Sequence, residues 1–165
     1  MEPTDLRQVL EDPVAEELYR ASALLRLAYT ARDGAPRVIP IGYVRRGTAF
    51  IVCTAAEAPK VRALQADRRV ALTIDVQGPP PRCLLVRGTA DVEIVDGVPE
   101  EMLEASLREV PPASHAIYVA EVRRLYDRVA RITITPSWAK VLDFERRVPS
   151  VVEELMRRHG SGARW

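Results

Sequence analysis

The clearest pattern in the sequence is the alternation from Arg82 to Val95, RCLLVRGTADVEIV. Every second residue from Leu84 to Ile94 is apolar or small, and the residues between them are mostly polar. A period of two residues is typical of a β-strand. One apolar and one polar face are typical of a strand in an antiparallel sheet. The segment therefore predicts a long antiparallel strand.

Shorter strand patterns lie on both sides of this segment. The predicted strands are 23–30, 37–44, 48–54 and 69–75 before it, and 128–135 and 138–144 after it. Asp33-Gly34 between the first two is a strong hairpin signal, and Arg46-Gly47 marks a further turn. Hairpins join antiparallel neighbours. These patterns predict a mainly β (α+β) fold, a six- to seven-stranded antiparallel barrel or sandwich.

Helical spacing of apolar residues predicts accessory helices. The predicted helices are 1–20, 57–67, 99–110, 114–126 and 151–159. Thr4 is the expected N-cap of the first helix, and Pro13 is a point at which that helix can split. Residues 160–165 are expected to form a loose tail. A length of 165 residues suggests a single domain over 1–165.

Composition excludes several classes of partner. Lys plus Arg total 24 against 23 Asp plus Glu, so bulk charge favours neither nucleic acid nor anionic membrane. No apolar run is long enough to span a bilayer. The first 20 residues are too acidic for a secretory signal, so we expect a cytoplasmic protein. Lys60 and Lys140 are the only lysines in the sequence.

Common catalytic and metal motifs are absent from the sequence. There is no Gly-x-Gly-x-x-Gly and no P-loop, and Cys53 and Cys83 form neither a metal-spacing motif nor a disulfide framework. The two histidines, His115 and His159, lie in predicted helices and outside any ligand cluster. We therefore predict no metal site, and no catalytic side chain can be assigned.

One strand–helix junction has the features of an anion site. A predicted strand ends at Thr54, and a predicted helix opens at Pro59-Lys60. The first turn of a helix has unpaired N–H groups and the positive end of the dipole, both of which attract an anion. A hydroxyl at Thr54 and the cation of Lys60 would complete a phosphate site. The alternative is a surface lysine beside an ordinary strand-end threonine.

An ordered series of segments resembles the pyridoxamine phosphate oxidase-like family of FMN-binding split barrels, which includes deazaflavin-dependent oxidoreductases. The series is Leu25–Ala31, Asp33-Gly34, PRVIP at 36–40, Phe50–Thr54, PKVRAL at 59–64, RRVALTID at 68–75 and LLVRGTA at 84–90. The resemblance implies a split β-barrel with accessory helices. It also implies a homodimer with the cofactor at the interface between the two subunits.

The resemblance implies a role for particular residues. The implied cofactor-binding residues are Arg37, Val38, Ile39, Pro40, Ile41, Cys53, Thr54, Pro59, Lys60, Arg82 and Trp138. Arg37 and Lys60 match phosphate-region contacts, and 38–42 would pass the flavin ring with its backbone groups. Trp138 would flank the ring from the partner subunit. Each also has a plain structural explanation: Cys53 as a small packing residue, Trp138 as core or interface.

The sequence also departs from the true oxidases of the family. Pro59 stands where those enzymes have a basic residue, Ala63 replaces a frequent asparagine, and their terminal Trp-Gly-Gly-Phe-Arg-Leu segment is missing. Synthesis of pyridoxal phosphate is therefore not expected. The sequence favours an FMN-dependent oxidoreductase acting on a small conjugated molecule. The alternatives are a deazaflavin-dependent reductase, with Arg62, Arg68 and Arg69 for an acidic tail, and a non-catalytic flavin- or haem-binding module.

Overall fold

The computed structural model describes residues 3–146 and 150–159, so the tail predicted at 160–165 lies outside the described residues. Its strands are β1 Leu24–Thr30, β2 Pro36–Gly42, β3 Val44–Arg46, β4 Ala49–Ala55, β5 Arg69–Val76, β6 Arg82–Asp96 and β7 Arg128–Asp143. Its helices are α1 Pro3–Leu10, α2 Pro13–Ala21, α3 Pro59–Ala66, α4 Glu100–Leu107, α5 His115–Leu125 and α6 Ser150–Arg158, with a 3-10 turn at Pro112–Ser114.

The strands form one antiparallel sheet in the order β2-β1-β5-β6-β7-β4-β3. The two edge strands, β2 and β3, follow each other in the chain with only Tyr43 between them. The sheet must therefore curl until its edges approach each other, although β2 and β3 do not pair. The result is a barrel split between these two strands, which confirms the mainly β split-barrel prediction.

The strand predicted at 37–44 is divided where the chain passes between the two edges. Tyr43 is 1% exposed, and its hydroxyl donates a hydrogen bond to the carbonyl oxygen of Ser22 over 3.2 Å. Its ring packs beside that of Phe50 in the core, with 6.0 Å between ring centroids. This anchored tyrosine fixes the point at which β2 ends and β3 begins.

The longest ladder of the sheet joins β6 to β7, where the sequence predicted two separate strands after residue 128. The structure has one continuous strand, because the ladder passes Pro136 at an irregularity near Gly88. Proline is tolerated in a strand at such a bulge, where its missing N–H leaves no ladder bond unmade. A Cβ on Gly88 would lie 2.3 Å from the carbonyl oxygen of Thr135, so only glycine permits this approach.

The N-terminal helix predicted over 1–20 is divided at Pro13, as its sequence allowed. The carboxylate of Asp12 caps α2 by accepting the N–H of Val14 over 2.9 Å. The Thr4 prediction was wrong, since α1 already begins at Pro3 and Thr4 lies within its first turn. Proline is favoured at the first helical position because its fixed φ suits the helix and no N–H is needed there.

The sheet has a buried inner face and an outer face, and α4 covers the outer face at β3 and β4, where Ala105 packs against Val44 and Ile51. The register places alternate cross-strand rows on the two faces. One inner row is Ile39, Leu27, Leu72, Val86 and Ala139, which belongs to the main core. The outer sheet face comprises the rows Val38, Ala28, Ala71, Arg87, Trp138 and Pro40, Arg26, Thr73, Leu85, Lys140.

Among the described helices, none has both the length and the apolar character needed to cross a membrane.

Candidate cofactor-binding site

The junction between β4 and α3 brings together two of the predicted site residues. Lys60 Nζ donates a hydrogen bond to Thr54 Oγ1 over 3.1 Å. Helix α3 opens at Pro59 after Ala58, without a side-chain cap and without an acidic residue in its first turn. Pro59 has no N–H, and the N–H of Val61 donates to the carbonyl oxygen of Ala58 over 2.9 Å, so the helix start attracts an anion through the positive end of its dipole. We call Thr54, Pro59 and Lys60 with this first turn the anion junction.

The charge of Lys60 is not neutralised by a neighbouring carboxylate. Within residues 3–146 and 150–159 the Lys60 ammonium forms no ion pair. The hydrogen bond that it donates goes to the neutral hydroxyl of Thr54. Partial burial lowers the pKa of Lys60 from its ordinary value because the charged form loses water. An anion bound at this junction would compensate that loss and favour the charged ammonium.

A cavity of about 300 Å³ lies beside the anion junction. Its lining comprises Tyr29, Ala31, Arg32, Arg37, Pro59, Arg62 and Ala63, and we call it the arginine cavity. Arg37 and Pro59, two of the predicted cofactor-binding residues, therefore line one cavity. Arg37 Nη2 donates to Asp33 Oδ2 over 3.1 Å, but both side chains are more than half exposed, so this pair is weak. Three guanidinium groups give the cavity a positive character.

The predicted ring-contacting stretch of β2 alternates between the core and solvent. Ile39 and Ile41 pack against the main core, whereas Val38 is 64% exposed and Pro40 is exposed. Because β2 is an edge strand, one row of its backbone N–H and C=O groups has no partner strand. This edge has the free backbone groups that the predicted contact with a flavin ring requires.

Cys53 and Thr54 point to opposite faces of β4. Cys53 packs with Ile51 and with Ala105 of α4, while the Thr54 hydroxyl faces Lys60. Burial, with a smaller effect from Glu101, raises the pKa of the Cys53 thiol to about 12. A thiol with so high a pKa is a poor nucleophile at neutral pH. The structure thus favours a packing role for Cys53 over a cofactor contact in the same chain.

Arg82 lies far from the anion junction within one chain. Thr54 pairs with Ala130 near the start of β7, whereas Arg82 pairs with Asp143 at the end of β7. Arg82 Nη1 donates to Glu17 Oε2 over 2.8 Å, which ties β6 to α2. A cofactor contact by Arg82 therefore stays a prediction that needs a site shared between two copies of the chain.

Trp138 is also separated from the junction, but it shares a face with the ring-contacting stretch. The guanidinium carbon of Arg87 lies 4.4 Å from the centroid of the Trp138 ring, which is a cation–π contact on the outer sheet face. Val38 lies in the same cross-strand row, with three strands between the two residues. In one chain they cannot flank the same ring, so the Trp138 contact stays a prediction for the partner subunit.

Sequence reasoning missed Tyr29 and Arg32 as parts of the site. Tyr29 lies directly opposite Arg37 in the β1–β2 register, and Arg32 lies in the hairpin loop between those strands. The hairpin signal at Asp33-Gly34 fixed the register and could have located Tyr29. The approach of the hairpin to α3 depends on the curl of the sheet, which a local pattern does not encode.

The histidines contribute no ligand cluster. His115 Nε2 lies 2.8 Å from the carbonyl oxygen of Val110, and His159 is exposed on the turn that follows α6. In the described part of the chain, no group of three or more His, Cys, Asp or Glu side chains is placed to hold a metal ion.

Comparison with known structures places this arrangement among related folds. A protein of Clostridium acetobutylicum related to general stress protein 26 of the pyridoxinephosphate oxidase family is 16% identical, with a TM-score of 0.56 over 88% of this chain and 92% of that one. An F420 reductase is 25% identical, with a TM-score of 0.54 over 76% and 94% of the two chains. A heme-binding protein of Mycobacterium smegmatis is 16% identical, with a TM-score of 0.55 over 86% and 55%.

Sequence comparisons assign the family. No curated protein matches this chain significantly. The family model described as pyridoxamine 5'-phosphate oxidase matches residues 12–140, which include the whole of the sheet except the last three residues of β7. The match covers most of the 165 residues and both sides of the anion junction. The chain therefore belongs to the pyridoxamine 5'-phosphate oxidase family.

Proposed function

We propose that this protein is an FMN-dependent oxidoreductase that acts on a small conjugated molecule. The observation that carries the proposal is the anion junction, where an unneutralised Lys60 and the Thr54 hydroxyl meet the uncapped start of α3. A phosphate monoester fits this chemistry, because its oxygens accept hydrogen bonds from an ammonium and a hydroxyl and its charge is attracted to the positive end of the helix dipole.

The residues around the junction suit the remaining parts of the cofactor. Arg37, which lines the arginine cavity beside Pro59, would hold the phosphate or ribityl region. The free edge of β2 along Val38–Gly42 would hydrogen-bond the polar edge of the ring. The bound flavin supplies hydride transfer, and the protein supplies position and electrostatics. With no acid or base assigned, solvent would supply the proton.

The proposal includes a homodimer with the cofactor between the subunits. On the outer sheet face Val38, Pro40, Arg87 and Lys140 are exposed, and its apolar and aromatic residues include Val38, Leu85 and Trp138. A second copy on this face would bring its own Trp138 toward the ring-contacting stretch. This would unite predicted residues that one chain keeps apart.

A deazaflavin coenzyme is the second candidate, and the arginine cavity is the observation that favours it. Arg32 and Arg62 line that cavity with no ion pair among the described residues. They would attract the acidic polyglutamate tail that distinguishes the F420 coenzyme from FMN. The 25% identity to an F420 reductase supports the same candidate.

Reconstitution distinguishes the two candidates. The purified protein is incubated with excess FMN or with F420, desalted, and its visible absorption spectrum is recorded. We expect FMN to remain bound at about one per chain. Retention of F420 alone would replace FMN with the deazaflavin coenzyme, and retention of neither would contradict the cofactor site. The double variant Arg32→Gln/Arg62→Gln should weaken F420 binding and leave FMN binding nearly unchanged.

A further inference from the structure

A second cavity opens on the outer sheet face next to the ring-contacting stretch of β2. It has a volume of about 580 Å³, within the usual range for small-molecule sites. Its floor is formed by the ends of β1 and β5, and its wall by the C-terminal end of α4. The residues that matter chemically are Arg26, Asp75, Gln77, Arg108 and Glu109. We call this cavity the polar groove.

The polar groove adjoins the residues proposed to contact the flavin ring. Arg26 is the register partner of Pro40, and Leu24 is the register partner of Gly42. A Cβ on Gly42 would lie 3.4 Å from that of Ala105, so α4 packs closely over the end of β2. A molecule in the groove would therefore lie beside the 38–42 stretch, within reach of a ring held along it.

Arg108 is oriented by two backbone carbonyl oxygens, and its charge also acts on the carboxylate of Glu104. Arg108 Nη2 donates to the carbonyl oxygens of Tyr19 over 2.6 Å and Ser22 over 2.9 Å, and its guanidinium lies 5.3 Å from the Tyr43 ring centroid. Neutral groups make all of these contacts. Within residues 3–146 and 150–159, Arg108 forms no ion pair with a carboxylate. A preoriented guanidinium without a carboxylate partner is suited to bind an anionic oxygen pair.

The other charged groups of the groove define the rest of the ligand. Arg26 Nη1 pairs with Asp75 Oδ1 over 2.8 Å, and both side chains are partly exposed. This pair contributes little net charge. Glu109 forms no ion pair among the described residues, so its carboxylate would accept a hydrogen bond from a donor on the ligand.

From these contacts we infer that the polar groove is the substrate site, and that the substrate is a small conjugated acid with a hydrogen-bond donor. Its carboxylate or phosphate binds Arg108, its amino or hydroxyl group faces Glu109, and its conjugated part extends toward the 38–42 stretch. This inference rests on the proposed function for its chemistry. It names a substrate class and a second functional region that the anion junction does not include.

The test measures binding of two acidic probes and a neutral one by saturation-transfer NMR. The probes are 4-aminobenzoate, 4-aminophenyl phosphate and the neutral 4-aminobenzamide. The proteins are wild type, Arg108→Gln and Arg124→Gln, each with and without FMN. Arg124 is a matched control, since it lies on α5 outside the groove and pairs with Glu121. Circular dichroism verifies that each variant is folded.

We expect at least one acidic probe to bind wild type and Arg124→Gln alike, and Arg108→Gln at least about tenfold more weakly. The neutral amide should bind weakly to all three proteins. Whichever acidic probe binds more tightly identifies the anionic group. Equal binding to Arg108→Gln and wild type, equal binding of amide and acid, or no binding of either acid would overturn the inference.

The same experiment separates the inference from the proposed function. FMN affinity should be unchanged in Arg108→Gln, because that side chain lies outside the anion junction. Acid binding that depends on Arg108 in a protein that retains no FMN would uphold the groove and refute the cofactor. Retention of FMN with no acid binding would uphold the cofactor and refute the groove.

Discussion

The Lys60 ammonium combines a charge, partial burial and a neutral partner, and these three properties decide what it can bind. Thr54 Oγ1 accepts one of its hydrogen bonds, and burial lowers its pKa. The sequence could place Lys60 at a helix start after a strand, because Thr54 and Pro59 mark the two ends. It could not show that no carboxylate among the described residues pairs with Lys60, because that depends on how distant strands assemble.

The lowered pKa of Lys60 predicts a pH dependence of cofactor affinity. Because its pKa is lowered, the Lys60 ammonium loses its proton at a lower pH than a lysine with the ordinary pKa of 10.5. FMN affinity should therefore begin to fall at a pH where a lysine of ordinary pKa still keeps its charge. Fluorescence titration at several pH values measures the dissociation constant.

Lys60→Arg is the control for this pH dependence, since arginine keeps its charge throughout the range. Its affinity for FMN should change less with pH than that of the wild-type protein. An identical alkaline loss in both proteins would show that the titrating group is not Lys60.

At the scale of the elements, the β6–β7 ladder shows where local patterns predict structure well and where they fail. The alternation at 82–95 predicted β6 almost to its ends, because one buried face imposes a period of two. Pro136 led to the prediction of two strands in place of the single strand β7, because the Gly88 that accommodates this proline lies on another strand. A local window therefore contains the proline but not the glycine that accommodates it.

Gly88→Ala should be strongly destabilising, since the new Cβ would lie 2.3 Å from a backbone oxygen of Thr135. Backbone on both sides must shift, which typically costs about 1–3 kcal/mol or more of the free energy of unfolding. Urea unfolding followed by circular dichroism measures the change. The neighbouring exposed Thr89→Ala is the control, with an expected change within about 0.5 kcal/mol. Equal stability of the two variants would refute the close approach at the bulge.

At the scale of the whole molecule, the curl of the sheet brings the β1–β2 hairpin against the start of α3. The individual strands and the hairpin turns follow from periodicity and from Gly34 and Gly47, which both have positive φ. The strand order follows from none of these local signals. The arginine cavity and the polar groove both depend on that order, so neither could be derived from the sequence.

The outer sheet face predicts a homodimer of twice the 18.4 kDa chain mass. Val38→Lys should weaken association, since it places a charge on the β2 edge of that face, where Val38 is 64% exposed. Light scattering over a concentration series measures the mass. Ile117→Lys is the matched control, because Ile117 is 71% exposed on helix α5 and does not belong to a strand of that face. A monomeric wild type, or equal effects of the two variants, would contradict the proposed interface.

The Lys60 ammonium is proposed to hold the phosphate of a flavin, and the chain offers an internal control for this role. Lys140, the only other lysine, is exposed on the outer sheet face of β7. The decisive measurement is the FMN dissociation constant of Lys60→Ala and Lys140→Ala by fluorescence titration. We predict roughly 10- to 100-fold weaker binding for Lys60→Ala, as expected for a lost charge-assisted hydrogen bond, and less than about threefold for Lys140→Ala. Equal affinities of the two variants, or no saturable FMN binding by the wild type, would contradict the claim.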